Sequence, residues 1–260
     1  MKIDLIIHGD MHLDLKTEGV DRNDDIMISM FQILDYSKKI KKENPNSIVL
    51  NAGDVFHNTR PKSDTTALAI SIFEKFNNFE IENHIIAGNH DVIDEKGRTS
   101  ALEPIIAANF KHINIYHDIE LKCIKYCKES NRSVNLITIP HISKSKAVEN
   151  GFKTVQEYIN SRCEEIEKEL FEEDYNIVLS HMNIGGALIG SENMLIKGTH
   201  EDFPNIFKTS KKIYCTFNGH YHKAQLINTF VPIVITGSIS VNDFGERKDF
   251  KNFFHLKLEI

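Results

Sequence analysis

The chain has 260 residues, 41% of them apolar and 26% charged, which fits a folded globular protein, and no apolar run nears the ~20 residues of a membrane helix. A formal charge of −6 argues against a surface built to coat nucleic acid, although bound cations would be missing from that count. Cys123, Cys127, Cys163 and Cys215 are scattered and form no CxxC pair, which argues against a thiolate zinc site or a disulfide framework.

The opening MKIDLIIHGD carries one lysine, a short apolar run and no small-residue cleavage site. It reads as a strand and not a signal peptide, and a cytoplasmic location is expected. Candidate strands follow in chain order at Ile3–His8, Ser47–Asn51, Ile81–Ala87, Val134–Ile139, Ile177–Ser180, Ile213–Asn218, Ile233–Thr236 and Phe253–Leu258. The runs DLIIH, SIVLN, NIVLS and PIVIT are almost wholly apolar, as strands covered on both faces are. Helical stripes lie between them. Met27, Met30, Phe31 and Leu34 share a face of residues 24–42, and Leu68, Ile72, Phe73 and Phe76 share one of 63–77. Thr154 and Glu157 have capping-box spacing ahead of the stripe Val155, Tyr158, Ile159, Ile166 and Leu170. The alternation predicts α/β layers around a central sheet or pair of sheets, with ligands beyond the carboxyl ends of the strands.

Five short segments fall just after such runs: Gly9-Asp10-Met11-His12, Gly53-Asp54-Val55-Phe56-His57, Gly88-Asn89-His90-Asp91, Ser180-His181-Met182-Asn183 and Gly219-His220-Tyr221-His222. Singly, each is an ordinary polar loop, and a Gly-Asp is more often a turn than a ligand. Five of them converging on one sheet edge predict a metal site. Carboxylate and imidazole together suit Mn²⁺, Fe²⁺ or Zn²⁺, and a carboxylate can bridge two cations ~3.5–4 Å apart. His220 and His222 are two apart, so an extended backbone would turn both toward a metal pair.

The order DxH, GDxxH, GNHD, SH and GHxH, running from residue 3 to about 246, resembles the calcineurin-like metallophosphoesterase superfamily. Within it, GDVFHNTRP, the Ile139-Pro140-His141 turn and Gly237-Ser238 followed by Phe244-Gly245-Glu246 resemble the SbcD-type nucleases of double-strand-break repair. The resemblance implies a four-layer α/β/β/α sandwich, two central mixed sheets flanked by helices, and a metal-dependent hydrolase. It implies that Asp10, His12 and His222 bind one divalent cation, that Asn89, His181 and His220 bind a second, and that Asp54 bridges both. Mn²⁺ is the expected metal, with Fe²⁺, Zn²⁺ or Mg²⁺ as alternatives. A hydroxide shared by the cations would attack phosphorus. His90 would face the scissile phosphate, stabilising charge or protonating the leaving oxygen, His57 would position substrate or assist that step, and Asp91 would orient His90.

Asp14 and His8 depart from the family pattern and read as a solvated acid and a buried neutral imidazole. His84, His112, His117, His200 and His255 match no motif and read as structural or surface residues, while His141 sits on a family-like loop. Only 14 residues follow Glu246, so the expectation is one metallophosphoesterase domain over residues 1–260 without the family's capping domain or partner-binding helices. Such a compact form would suit a phage or mobile-element enzyme, in the host cytoplasm. DNA is the expected substrate, cut by exonuclease and endonuclease action. Arg60, Lys62, Lys144, Lys146, Lys208, Lys211, Lys212 and Lys223 are candidate phosphate contacts. An SMC-like ATPase of the SbcC type is a possible partner, and a homodimer through residues 63–77 and 99–110 is another. A small-molecule (cyclic nucleotide) phosphodiesterase or phosphatase is the alternative activity, and a non-catalytic scaffold the alternative class.

Overall fold

A parallel strand pair needs a crossover, and the sequence supplies helices at that spacing. In the computed structural model, which describes residues 1–95, 98–188 and 202–260, the order begins β1 (Lys2–His8), a small hairpin β2 (Lys16–Thr17) and β3 (Val20–Asp21), α1 (Asn23–Glu43), β4 (Ser47–Asn51) and α2 (Ser63–Asn78). It continues with β5 (Glu82–Ile86), the hairpin β6 (Val92–Glu95) and β7 (Arg98–Ser100), α3 (Glu103–Ala107), β8 (Ile113–Tyr116), β9 (Glu120–Cys127) and β10 (Arg132–Ile139). Then come α4 (Lys144–Glu149), α5 (Val155–Glu169), β11 (Tyr175–Ser180), α6 (Asn205–Thr209), β12 (Ile213–Asn218), β13 (Gln225–Ile227), β14 (Ile233–Ile235), a 3-10 turn at Phe244–Lys248 and β15 (Phe254–Glu259). His200 lies outside the described residues.

Two mixed sheets form. The first runs β15-β1-β4-β5-β8, all parallel except β15, and the second runs β13-β14-β12-β11-β10-β9, with only the edge strands β13 and β9 antiparallel. Side-chain alternation sorts the apolar runs into three cores. Ile3, Leu5 and Ile7 of β1 meet Leu136 of β10, Ile177 and Leu179 of β11 and Phe217 of β12 between the sheets. Ile6, Val49 and Ile85 turn the other way onto Met30, Ile33 and Phe73 of α1 and α2. Ile137, Val178 and Ile233 turn onto Tyr158, Ile159 and Ile166 of α5. This is the four-layer sandwich, and it explains why four runs are apolar at nearly every position: both faces are covered. Each fully buried Ile or Leu contributes about 1.5–3 kcal/mol.

Thr154 accepts the Glu157 N–H and Glu157 caps Thr154 in return, so the capping box starts α5 where its spacing predicts. β8 and β9 are strands that the apolar-run reading does not find. β9 is half exposed, with lysines at positions 122 and 125, and its alternation is read only once β10 is placed beside it.

Candidate metal centre

All five polar segments sit at the carboxyl ends of parallel strands: β1, β4 and β5 of the first sheet, and β11 and β12 of the second. The two sheets are tied together here. His220 N–H donates to Asp10 Oδ1 (2.9 Å) and the His181 Nδ1–H donates to the Ala52 carbonyl (2.7 Å). Backbone bonds Asp10 N to Gly53 O (2.9 Å) and His12 N to Asp54 O (3.0 Å) lock the first loop to the second. The turns are tight enough that Asp10, His12, Asp54 and His220 take positive φ of 50°, 53°, 52° and 76°. For a non-glycine residue this costs roughly 1–3 kcal/mol each, held in place by the surrounding bonds. Gly88 is obligatory, since a Cβ there would lie 2.1 Å from Asp54 Oδ1 and 2.4 Å from its backbone nitrogen.

The side chains make two groups sharing one carboxylate. His12 and His222 face each other Nε2 to Nε2 at 2.9 Å, and a ligand atom from each lies within 4.8 Å of one from Asp10. The Asn89 Oδ1 lies 3.0 Å from His181 Nε2 and 3.1 Å from His220 Nδ1. Asp54 Oδ2 lies between the groups, 3.6 Å from His12 Nε2 and 3.3 Å from His181 Nε2. Because His181 gives its Nδ1–H to Ala52, its Nε2 faces the Asp54 and Asn89 oxygens with a lone pair unless it holds a proton. That is an arrangement a cation satisfies. Asp10 Oδ2 is likewise buried without a hydrogen-bond partner.

The electrostatics follow from burial. It pushes the Asp10 carboxyl up to about 7, against the pull of His181 and His222. It would raise Asp54 too, but His181, His90 and His12 outweigh it and hold that carboxyl well below the usual range. Burial would lower His181, yet the Asp54 carboxylate beside it raises the imidazole to about 9. His12 is pushed well below its ordinary value by burial and by His222. A centre with carboxylate and carboxamide oxygens, imidazoles and a partnerless Asp10 Oδ2 in one buried volume fits divalent cations bound by N and O ligands.

His90 Nδ1 donates to the His57 carbonyl (2.7 Å), and the two rings stack at 5.3 Å between centroids. With Asp54, Asn89, His220 and His222 they line a cleft of about 360 Å³, to which Leu15–Glu18, Asn242 and Asp243 also contribute.

Three expectations are corrected. The Asp91 carboxylate does not orient His90. It accepts N–H groups from Gly88 (2.9 Å), Phe56 (3.0 Å) and Val55 (3.2 Å), so it fastens the third loop to the second, and the His57 carbonyl holds the His90 ring. Asp14 is not a solvated acid: its side chain is 9% exposed, near Lys62 and Asn58. His220 and His222 both reach the centre, but through a bent backbone with His220 at positive φ, so each faces a different group.

His8 is fully buried, and burial lowers it to about 4, which keeps it neutral. His141 lies outside the cleft lining. Of the candidate phosphate contacts, Lys146, Lys212 and Lys223 pair with Asp118, Glu167 and Asp249. Sequence reasoning misses Asn218 and Asn242. Asn218 bonds Ser180 Oγ (2.6 Å) and the Met182 backbone on both sides, and so sets the exit angle of the fourth and fifth loops. The one available signal is an asparagine ending an otherwise apolar run, as in IYCTFN.

The calcineurin-like phosphoesterase family matches this sequence over residues 3–224. The chain is 27% identical over 263 residues to the SbcD subunit of the SbcCD nuclease of Staphylococcus epidermidis, covering 98% of this chain and 66% of that protein. It thus spans just under two thirds of that relative's length. Among solved structures, phosphopantetheinyl hydrolase from Mycobacterium tuberculosis superimposes with a TM-score of 0.52 at 11% identity, covering 98% of this chain and 96% of the other. A protein of Thermus thermophilus superimposes with a TM-score of 0.50 at 8% identity, over 92% and 90% of the two chains. At these identities the likeness is one of fold.

Proposed function

The chain belongs to the calcineurin-like phosphoesterase family, metal-dependent hydrolases, and from that premise we propose that it is a Mn²⁺-dependent DNA nuclease of the SbcD type, formed as one phosphoesterase domain over residues 1–260. The observation that carries the two-cation part is the position of Asp54 Oδ2 between His12 and His181, since one buried carboxylate serves both groups. The nuclease part rests on the Staphylococcus epidermidis relative and on the order of motifs.

In this reading Asp10, His12 and His222 would hold one cation, Asn89, His181 and His220 would hold the other, and Asp54 would serve both. Two such ions would supply positive charge to the phosphoryl oxygens and would acidify water. The residues do the rest. Strained turns fix the ligand atoms before substrate arrives. His57 anchors His90 through its carbonyl, which directs Nε2 of His90 to the cleft as the atom that passes a proton to the leaving oxygen. An ATPase partner of the SbcC type belongs to the same proposal. Among the described residues no helix is long and apolar enough to cross a membrane.

The test uses Mn²⁺ with two substrates in parallel, end-labelled linear DNA and bis-p-nitrophenyl phosphate, and Asp54→Asn as the control against a contaminating enzyme. Cleavage of both, lost in the variant, supports the proposal. Cleavage of the small diester alone would sink the claim that this chain cuts DNA unaided and would favour a small-molecule phosphodiesterase.

A further inference from the structure

Glu246 is 2% exposed although it stands in a surface turn between exposed Gly245 and Arg247. Asp243 caps that turn by accepting the N–H groups of Gly245 (2.6 Å) and Glu246 (3.2 Å), which swings the Glu246 side chain inward. Its Oε1 then lies 3.0 Å from His222 Nδ1. Its Oε2 accepts the Asn242 N–H (2.9 Å) and the Lys251 ammonium (2.6 Å). Lys251 Nζ also bonds Ser238 Oγ (2.7 Å) and the His222 carbonyl (3.1 Å), so it clamps both the carboxylate and the backbone that carries the imidazole.

We propose that Glu246, held by Lys251, is a positioning residue that fixes the tautomer and aim of His222 and so sets the affinity for the cation nearest Asp10 and His12. This rests on the two-cation reading above. The chemistry is direct. A carboxylate facing Nδ1 requires the proton on Nδ1, which leaves the Nε2 lone pair pointing at His12 Nε2, where a ligand is needed. The Asn242 Nδ2 lies 2.9 Å from the same Nδ1; exchanging the two ends of that amide puts its partnerless Oδ1 there, where it accepts the same N–H. A plain structural ion pair accounts for less, since a buried pair is weak evidence for stability and would not need an imidazole as third partner. Both residues lie beyond residue 224, where the family match ends, so this control comes from a segment outside the matched region.

Stranding Lys251 would itself disrupt the turn, so the test variant removes the pair together, Glu246→Leu with Lys251→Met. Calorimetric titration of Mn²⁺ should show two binding steps in the wild type. In the double variant one step should weaken about 10–100-fold, the usual cost of losing such a support, and the other should stay. Long-range ¹H–¹⁵N correlations of the metal-free protein should show His222 protonated at Nδ1 in the wild type and mixed in the variant. Glu246→Gln keeps an acceptor at Nδ1–H, so it should keep the tautomer and weaken the same step only a few-fold. Unchanged binding, or equal weakening of both steps, overturns the proposal. If the double variant does not fold, an unchanged step in Glu246→Gln overturns it alone. Fewer than two Mn²⁺ in the wild type overturns the two-cation reading, and this proposal with it.

Discussion

The Asp54 carboxylate meets His12 and His181 through one oxygen and the His90 N–H through the other, at 2.9 Å. Losing a single charge-stabilising group in a hydrolase site costs about 10²–10³-fold. Asp54→Asn removes charge from both halves at once, so kcat/KM on bis-p-nitrophenyl phosphate should fall at least about 10³-fold; a loss under tenfold would contradict its shared role. His90→Gln should separate two kinds of help. If His90 protonates the leaving oxygen, DNA cleavage should drop about 10²-fold or more, with a much smaller loss on p-nitrophenyl esters, whose leaving group needs no proton. Equal losses on both substrates would assign His90 to charge stabilisation instead. Residue by residue, the ligands are legible because each follows an apolar run, behind a glycine in four of the five segments and behind Ser180 in the other. The partners of those ligands are not. Asp91 sits one place after His90 in sequence, yet its carboxylate binds the Val55 and Phe56 backbone, a contact that only the folded β4 and β5 loops create.

Elements carry their own predictions. Neither Thr154 nor Glu157 of the α5 capping box lines the cleft, and replacing an N-cap threonine by alanine costs about 1 kcal/mol. Thr154→Ala should therefore lower the urea midpoint by that equivalent with activity intact. Gly88→Ala should lower stability and activity together. Its Cβ would meet the Asp54 backbone and carboxylate, so overpacking of roughly 1–3 kcal/mol should come with loss of activity. The long, two-faced strands β1, β4, β11 and β12 are written plainly in the sequence, as are α1, α2 and α5. β9 is hidden because its outer face is polar, and β8 because INIY is four residues long.

For the whole molecule, the sandwich brings the carboxyl ends of two sheets to one edge, and His220–Asp10, His181–Ala52 and His141–Ala87 are among the bonds that tie them together. Cations binding across that seam should brace the fold. At a hundredfold excess over Kd the linkage is about 2.7 kcal/mol, or roughly 5–10 °C in Tm for a chain of this size. Adding Mn²⁺ should raise Tm by that amount, EDTA should reverse it, and Asp54→Asn should abolish it; no shift in the wild type would count against metal binding at the seam. The four-layer order follows from the family resemblance, and the alternation of apolar side chains then says which face each strand presents. The most direct measurement is diffraction at the manganese absorption edge from crystals grown with Mn²⁺. Two anomalous peaks about 3.5–4 Å apart, on either side of the Asp54 carboxylate, are expected. One peak, or two that do not share Asp54, would contradict the two-cation reading.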